Sequence, residues 1–333
     1  MPRVTVLMTL FNKGPYVEEA VHSVLANSFQ DLELLIVDDA STDDGLERVR
    51  AIADPRIRIL ESERNTGRAA SANRGYDAAR GEYVAVMDAD DVAHAERIAR
   101  QVAFMDADPD IGVCGSALGT IGGSAVLRVP FDDQGCRGVM IFGMPVFYTA
   151  CMLRRSVLEE HHLRCNAQWR RPGMDYFFIV QVGFHTRYAN LPDVLTYYRR
   201  GEQNMRHGRD PVEDHINIDR EAFRLLGLPI SEHQLSLQVH LHAPFPERLS
   251  AFRVLSLRAW VHRSIALNRV RRLFPVDLFE AEVERRWDKL FHVLVRRDVF
   301  QAFAHMLASG RVLERAGYLA RFTWRRWRGR EPA

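Results

Sequence analysis

Residues 83–91 read Y-V-A-V-M-D-A-D-D, an apolar run that stops on three carboxylates, Asp88, Asp90 and Asp91. The run is aromatic or β-branched at Tyr83, Val84 and Val86, which favours a buried strand. The acidic half then falls at the strand's C-terminal end, where open α/β sheets place their ligands. Carboxylates crowded there repel one another, and a divalent cation holding a phosphate relieves the repulsion. A solvated acidic loop leading into a helix, with Asp91 as its N-cap, accounts for the same residues. The stretch alone favours neither reading.

The preceding 80 residues supply a context. Val4–Leu10 is a continuous apolar run suited to a strand covered on both faces. Pro15 opens a helical pattern in Val17, Ala20, Val21, Val24 and Leu25. Leu32–Val37 reads as a second strand, ending on Asp38 and Asp39, with Asp38, Ser41 or Thr42 as helix caps before Leu46, Val49 and Ile52. A short strand at Arg56–Leu60, a turn at Asn65-Thr66-Gly67 and an alanine-rich helix at Arg68–Ala79 lead to the strand at Tyr83. Such alternation predicts an α/β fold with a mostly parallel sheet and helices on both faces. The first strand is followed by neither G-x-G-x-x-G nor G-x-x-x-x-G-K-[ST], so phosphate charge must be met without a glycine loop. A metal on Asp88 and Asp90 would meet it.

Beyond a helix at Ala95–Met105 the alternation weakens. Strand signals at Ile111–Cys114, Ala125–Val129, Arg187–Leu191 and Val194–Arg199 read as an antiparallel extension. Met174–Val182 is strongly apolar, with Asp175 near its start. From about Arg206 helical patterns dominate: Ile216–Leu226, Glu232–Leu241, Pro246–Asn268, Val276–Arg297 and Val299–Leu307. The expected division is a domain over 1–205 and a helical C-terminal domain over 206–333.

A net charge of +2 implies no strongly charged partner overall and argues against nucleic acid. Cys114, Cys136, Cys151 and Cys165 form no C-x-x-C and fit a reducing cytoplasm. Lysine occurs only at Lys13 and Lys289. No signal segment opens the chain, and the uncharged run Gly138–Leu153 is shorter than the ~20 residues of a spanning helix. Tyr318–Arg330 mixes Trp324 and Trp327 with five arginines. Such a helix can lie on an anionic membrane surface or dock by its aromatics with the arginines solvated. Docking is the simpler account.

Taken together the chain resembles family 2 glycosyltransferases, inverting enzymes of the GT-A fold. The resemblance covers roughly residues 3–205. It rests on V-T-V-L-M-T-L-F-N at Val4–Asn12, I-V-D-D-A-S-T-D at Ile36–Asp43, N-T-G at Asn65–Gly67, D-A-D-D at Asp88–Asp91, M-D-Y at Met174–Tyr176 and N-L-P-D-V-L at Asn190–Leu195. It implies a nucleotide-diphosphate sugar donor, a UDP-sugar, and a glycan or lipid-linked acceptor in surface polysaccharide, lipopolysaccharide or capsule synthesis. Thr9, Phe11, Asn12, Asp39, Arg68, Asn73 and Asp88 would bind the nucleotide sugar. Phe11 would stack on uracil, and Asp39 would accept its ring N–H. Asp90, with Asp88, would ligate Mn²⁺ or Mg²⁺, and Asp175 would be the general base. The helical appendage would shape the acceptor groove, pair subunits into a homo-oligomer or touch the membrane.

Several positions depart from the family pattern. Ala72 stands where a basic residue is frequent, and Arg68, one helical turn earlier, would substitute. Met174 replaces a glutamate, Tyr148-Thr149 replaces a histidine–proline or histidine–serine pair, and Gly201 replaces a histidine that His207 would supply. These departures admit a non-catalytic nucleotide-sugar-binding or scaffold homologue, which the retained Asp39, Asp88, Asp90 and Asp175 oppose. A nucleotidyltransferase on a similar sheet would lack the base at Asp175. It would also usually carry a glycine- and basic-rich loop after the first strand, unlike Phe11–Pro15.

Overall fold

A computed structural model describes residues 1–201, 208–242 and 249–327, with the side chains of 325–327 outside the description. The boundary expected after residue 205, the proposed contact at His207, the expected helix start at Pro246, and Arg328 and Arg330 lie outside the described residues. The chain forms two compact units. One comprises residues 1–136 and 144–208, and the other residues 137–143 and 209–333.

The first unit opens with β1 (Val4–Leu10), α1 (Gly14–Leu25), β2 (Leu32–Asp38), α2 (Gly45–Ala51), β3 (Ile57–Glu61), α3 (Arg68–Ala78) and β4 (Tyr83–Asp88). There follow β5 (Val92–Ala93), α4 (Arg97–Ala107), β6 (Ile111–Thr120), β7 (Val126–Leu127), α5 (Asp133–Val139, whose residues from Arg137 belong to the second unit), a 3-10 turn at Tyr148–Ala150, β8 (Met152–Arg154), α6 (Arg155–Glu160), α7 (Met174–Gly183) and β9 (Arg187–Tyr198). The sheet order is β3-β2-β1-β4-β8-β6-β9-β5, with β7 beside β6. The strands β1, β2, β3 and β4 are parallel, as their helical crossovers require.

Val4, Val6, Met8 and Leu10 point to one face of β1 and pack with Val17, Val21 and Val24 of α1. Leu7 points to the other, beneath α3. A Cβ at Gly75 would lie 2.1 Å from Leu7 Cδ1, so glycine permits α3 to approach the sheet.

The far half of the sheet is only in part the antiparallel extension expected, with β7 antiparallel to β6 and β5 to β9. β8 does run antiparallel to β4 and β6, but β6 and β9 pair in parallel over their whole lengths. The long connection through α5, α6 and α7 makes that crossover possible. The two strand signals around Pro192 belong to one strand, β9, whose register slips at Ala117 of its partner.

The caps also differ from expectation. The residue preceding α2 is Asp44, and Asp43 accepts from the Gly45 N–H and from Gly14 N–H at 2.7 Å. Asp38 instead closes a tight turn on the Ser41 N–H, 3.2 Å away. Asp91 is followed by β5, and α4 begins only at Arg97, so Asp91 caps no helix. Gly173, at φ 108°, precedes α7, which places Asp175 in the first turn of that helix.

The second unit contains α8 (Pro211–Leu225), α9 (Glu232–His242), α10 (Ala251–Arg271), α11 (Val276–Arg297), α12 (Val299–Ser309) and α13 (Val312–Trp327). Among the described residues no helix is long and apolar enough to cross a membrane.

Candidate active site

Parallel pairing aligns the ends of three strands. Leu10 lies opposite Asp38, and Thr9 lies between Val37 and Asp88. Each strand then releases a loop at the same edge, so carboxylates 50 residues apart in the chain converge there.

The loop after β1 exposes Phe11 by 43%. Asn12 follows at φ 52°, and its Oδ1 accepts from the Thr42 N–H at 2.8 Å. Ala40 also sits in the left-handed region, at φ 59°. This conformation is costly for a residue with a Cβ and is typical of loops built around ligands. Asn12 thus fastens the β1 loop to the β2 loop.

Asp39 is buried and accepts from Thr66 N–H at 2.7 Å, Thr66 Oγ1 at 2.8 Å and Gly67 N–H at 2.8 Å. It holds the turn that opens α3. Its two oxygens offer about four acceptor positions in all, which leaves capacity for one more donor. Gly67 sits at φ 88° beneath Arg170, where a Cβ would meet Nη1 at 2.0 Å.

Arg68, the first residue of α3, reaches Asp88 Oδ1 at 2.9 Å and Oδ2 at 3.2 Å. Its other guanidinium nitrogen is 3.9 Å from Asp175 Oδ2. The same guanidinium lies 5.4 Å from the Tyr148 ring centre. Burial opposes its charge, but Asp88 and Asp175 outweigh burial and raise its pKa. Asp88 is raised as well, by burial and by Asp90 and Asp175, against the pull of Arg68.

Asp90 pairs with Lys13 Nζ at 2.6 Å. Asp91 turns away from both. It is fully buried, accepting from Thr149 Oγ1 at 2.7 Å and from the Arg199 N–H at 2.9 Å. Burial, then the charge of Asp88, pushes it up to about 8. Thr149 also accepts from the Asp88 N–H at 3.1 Å, so one hydroxyl spans the acidic motif.

Asp88, Asp90, Arg68 and Asp175 are therefore gathered at one edge, with Thr9, Phe11, Asn12 and Asp39 along the same rim. The Asn73 amide is committed in part to the fold, with one N–H and one acceptor position left over. Both polar atoms engage the Cys165 backbone, at 2.8 Å and 2.7 Å, and fasten the segment that leads to α7. Sequence reasoning missed Lys13, Thr149 and Arg199. Lys13 did carry a signal, as one of two lysines in an arginine-rich chain. Thr149 stood out only as a departure from the family pattern, and its contact with Asp91, like that of Arg199, forms only in three dimensions.

Asp88 and Asp90 offer hard oxygen donors, already balanced by cationic side chains. This donor set suits Mg²⁺ or Mn²⁺. Among the described residues no three His, Cys, Asp or Glu side chains converge into an all-protein cage. A cation shared between one or two carboxylates and a diphosphate needs none.

Known proteins resemble the chain in sequence and fold. The family model described as "Glycosyl transferase family 2" matches residues 5–161. The putative glycosyltransferase EpsE of Bacillus subtilis is 31% identical over 70% of this chain and 86% of its own length. An uncharacterized glycosyltransferase of Haemophilus influenzae is 29% identical over 60% of this chain, which spans 65% of that relative's length. Among solved structures, S. aureus TarS in complex with UDP-GlcNAc superposes with a TM-score of 0.60 at 18% identity, covering 85% of this chain and 91% of that one. The mannosyltransferase PcManGT from Pyrobaculum calidifontis, in complex with GDP-Man and Mn²⁺, gives 0.51 at 19% identity, covering 86% of each chain. These structures share the GT-A-like fold.

Proposed function

The chain belongs to the family 2 glycosyltransferases, and from that premise we propose that it transfers one sugar, with inversion, from a UDP-sugar to a hydroxyl of a glycan or lipid-linked acceptor. The observation that carries this reading is the single guanidinium of Arg68, placed between Asp88 on the donor side and Asp175 across the edge. Inversion by single displacement needs donor carboxylates and a base on opposite sides of the reacting carbon.

In this reading Phe11 stacks on the uracil ring and Asp39 accepts its N–H, while Asn12 holds the loop that presents Phe11. Arg68 carries positive charge toward the diphosphate. Asp90 and Asp88 hold Mn²⁺ or Mg²⁺, which when bound stabilises the charge developing on the leaving diphosphate. Asp175 takes the proton of the acceptor hydroxyl as its oxygen bonds to the anomeric carbon and the bond from that carbon to the phosphate oxygen breaks. Asp175 sits in the first turn of α7, where the helix terminus favours a carboxylate.

TarS bound to UDP-GlcNAc supports the choice of a UDP-sugar, and PcManGT bound to Mn²⁺ supports the cation. The family resemblance supports an acceptor in surface polysaccharide synthesis. Four buried, unbridged cysteines support action in the reducing cytoplasm.

A panel of nucleotide sugars with Mn²⁺ and Mg²⁺, scored for released nucleotide diphosphate, tests the reaction. Turnover with at least one UDP-sugar is expected. No turnover with any donor, together with no metal-dependent UDP binding, would sink the reading. Asp175→Asn should abolish transfer and leave UDP binding intact, and persistent transfer would displace Asp175 as the base.

A further inference from the structure

The acidic motif runs directly into β5, and β5 pairs antiparallel with β9. Val92 lies opposite Tyr197 and Ala93 opposite Thr196. In an antiparallel ladder a step back on one strand meets a step forward on the other, so the same register brings Arg199 beside Asp90. Arg199 Nε donates to the Asp90 carbonyl at 2.8 Å, and the Arg199 N–H donates to Asp91 Oδ1 at 2.9 Å.

The rest of the guanidinium faces α1. Its carbon lies 4.8 Å from the Tyr16 ring centre, and its Nη2 pairs with Glu19. α1 begins immediately after Lys13, whose carbonyl accepts from the Tyr16 and Val17 N–H groups, each at 2.9 Å. Lys13 Nζ in turn takes the Asp90 carboxylate at 2.6 Å. One end of α1 therefore grips Asp90 by its side chain through Lys13 and by its backbone through Arg199, with Tyr16 as the platform under the guanidinium.

The two grips differ in consequence. Lys13 occupies an oxygen that a cation on Asp90 would use. Arg199 bonds to the carbonyl and Glu19 meets its charge, so that bond orients Asp90 without engaging its carboxylate. Fixing a peptide fixes the Cα–Cβ direction of its residue, and with it the few rotamers open to the side chain. A planar fork with donors on two edges holds a carbonyl and a carboxylate while its face rests on a ring, as a lysine cannot. We propose that Arg199 is a positioning residue for the transfer reaction: it fixes the Asp90 peptide so that Asp90 presents its carboxylate to the donor diphosphate and its cation. This role rests on the transferase reading given above.

The test compares the full chain with Arg199→Met and Arg199→Lys in UDP titrations with and without Mn²⁺, in turnover, and in Mn²⁺ EPR. The backbone N–H to Asp91 survives both substitutions, so the side chain alone is read. Arg199→Met is expected to raise the Mn²⁺ concentration for half-maximal UDP binding by about tenfold and to lower kcat by about tenfold, as losing the support of a metal-facing carboxylate does. UDP affinity without metal should stay within about twofold, because Phe11 and Asp39 are untouched. Arg199→Lys keeps the charge and loses the fork. It should match the parent in melting temperature, raise the Mn²⁺ requirement by about threefold and alter the EPR spectrum of bound Mn²⁺, which keeps the test decisive should the Met variant fail to fold. A lower melting temperature with unchanged Mn²⁺ requirement and kcat would reduce Arg199 to a structural part and overturn the proposal, as would a Lys variant indistinguishable from the parent. Absence of metal-dependent UDP binding in the parent itself would instead overturn the transferase reading, and this role with it.

Discussion

The ammonium of Lys13 lies 2.6 Å from Oδ2 of Asp90, a carboxylate that is itself only 8% exposed. A lysine from the loop after the first strand thus holds the carboxylate assigned to the cation. A divalent ion reaching Asp90 has to displace that ammonium or share the oxygens with it. Removing the competitor in Lys13→Met should lower the Mn²⁺ concentration for half-maximal UDP binding by about tenfold, equivalent to about 1.4 kcal/mol. Calorimetric titration of Mn²⁺ in the presence of UDP reads this directly. An unchanged or higher requirement would mean that Lys13 serves the diphosphate instead.

Arg68→Ala leaves Asp88 and Asp175 facing a buried edge without their shared cation. Turnover should fall by about two orders of magnitude, equivalent to roughly 2.7 kcal/mol of barrier. Arg68→Lys should recover only part, because a point charge cannot span both carboxylates as a planar fork does. Equal rates for the Lys variant and the parent would reduce Arg68 to simple charge balance.

Asp90 and Asp91 are adjacent but should respond oppositely to substitution. Asp91→Ala strands the Thr149 hydroxyl and the Arg199 N–H in the interior, at a cost of about 3 kcal/mol in stability. Asp90→Asn should cost less, about 1–2 kcal/mol, since the amide oxygen can still accept from the Lys13 ammonium. Metal dependence should nevertheless vanish in the Asn variant. Denaturant midpoints, paired with metal titrations, separate the two roles.

Asn73 lies in the motif expected to touch the nucleotide sugar, yet both its polar atoms hold the Cys165 backbone. Asn73→Ala should therefore lower stability by about 1–3 kcal/mol. Donor KM should stay within about twofold, less than 0.5 kcal/mol. A large rise in KM with an unchanged melting temperature would return Asn73 to the binding site.

The helical unit should lose stability in mild acid. Burial holds His305 down at about 4, and burial with Arg253 and Arg297 does the same to His240. His305 donates through Nε2 to the Trp287 carbonyl at 2.8 Å, with Arg315 and Ser309 each 3.3 Å from Nδ1. A second proton would face Arg315. Both imidazoles are neutral when folded, so their full contribution is present above about 6.5, the unfolded value. It declines as pH falls from there to about 4, by a few kcal/mol in total. Trp260 and Trp287 fluorescence during denaturant unfolding across that range tests it, and His305→Gln should flatten the profile.

Much of the catalytic architecture was legible because it is periodic. Predominantly apolar runs at Val4–Leu10, Leu32–Val37 and Tyr83–Met87 suit strands covered on both faces, and each ends where acidic or polar residues begin. Val276–Arg297 kept a helical pattern over its whole length, with identical bounds in the structure. The β6–β9 pairing was not legible, since nothing local specifies whether strands so far apart in the chain run parallel. The caps failed for a related reason. Asp38 and Asp91 each had a nearby backbone donor in principle, and packing decided which donor each met.

The sequence alone determined the alternation of strands and helices, the acidic ends of β2 and β4, and the kinds of residue at their edge. These follow from side-chain chemistry and period, which a linear chain states directly. Only the tertiary structure decided how the charges are paired: Lys13 with Asp90, Arg68 between Asp88 and Asp175, and Asp91 enclosed by Thr149 and Arg199. Those pairings join residues 20 to 108 positions apart, and each is fixed by the strand register and by the low-dielectric interior, where an unpaired charge is too costly to leave.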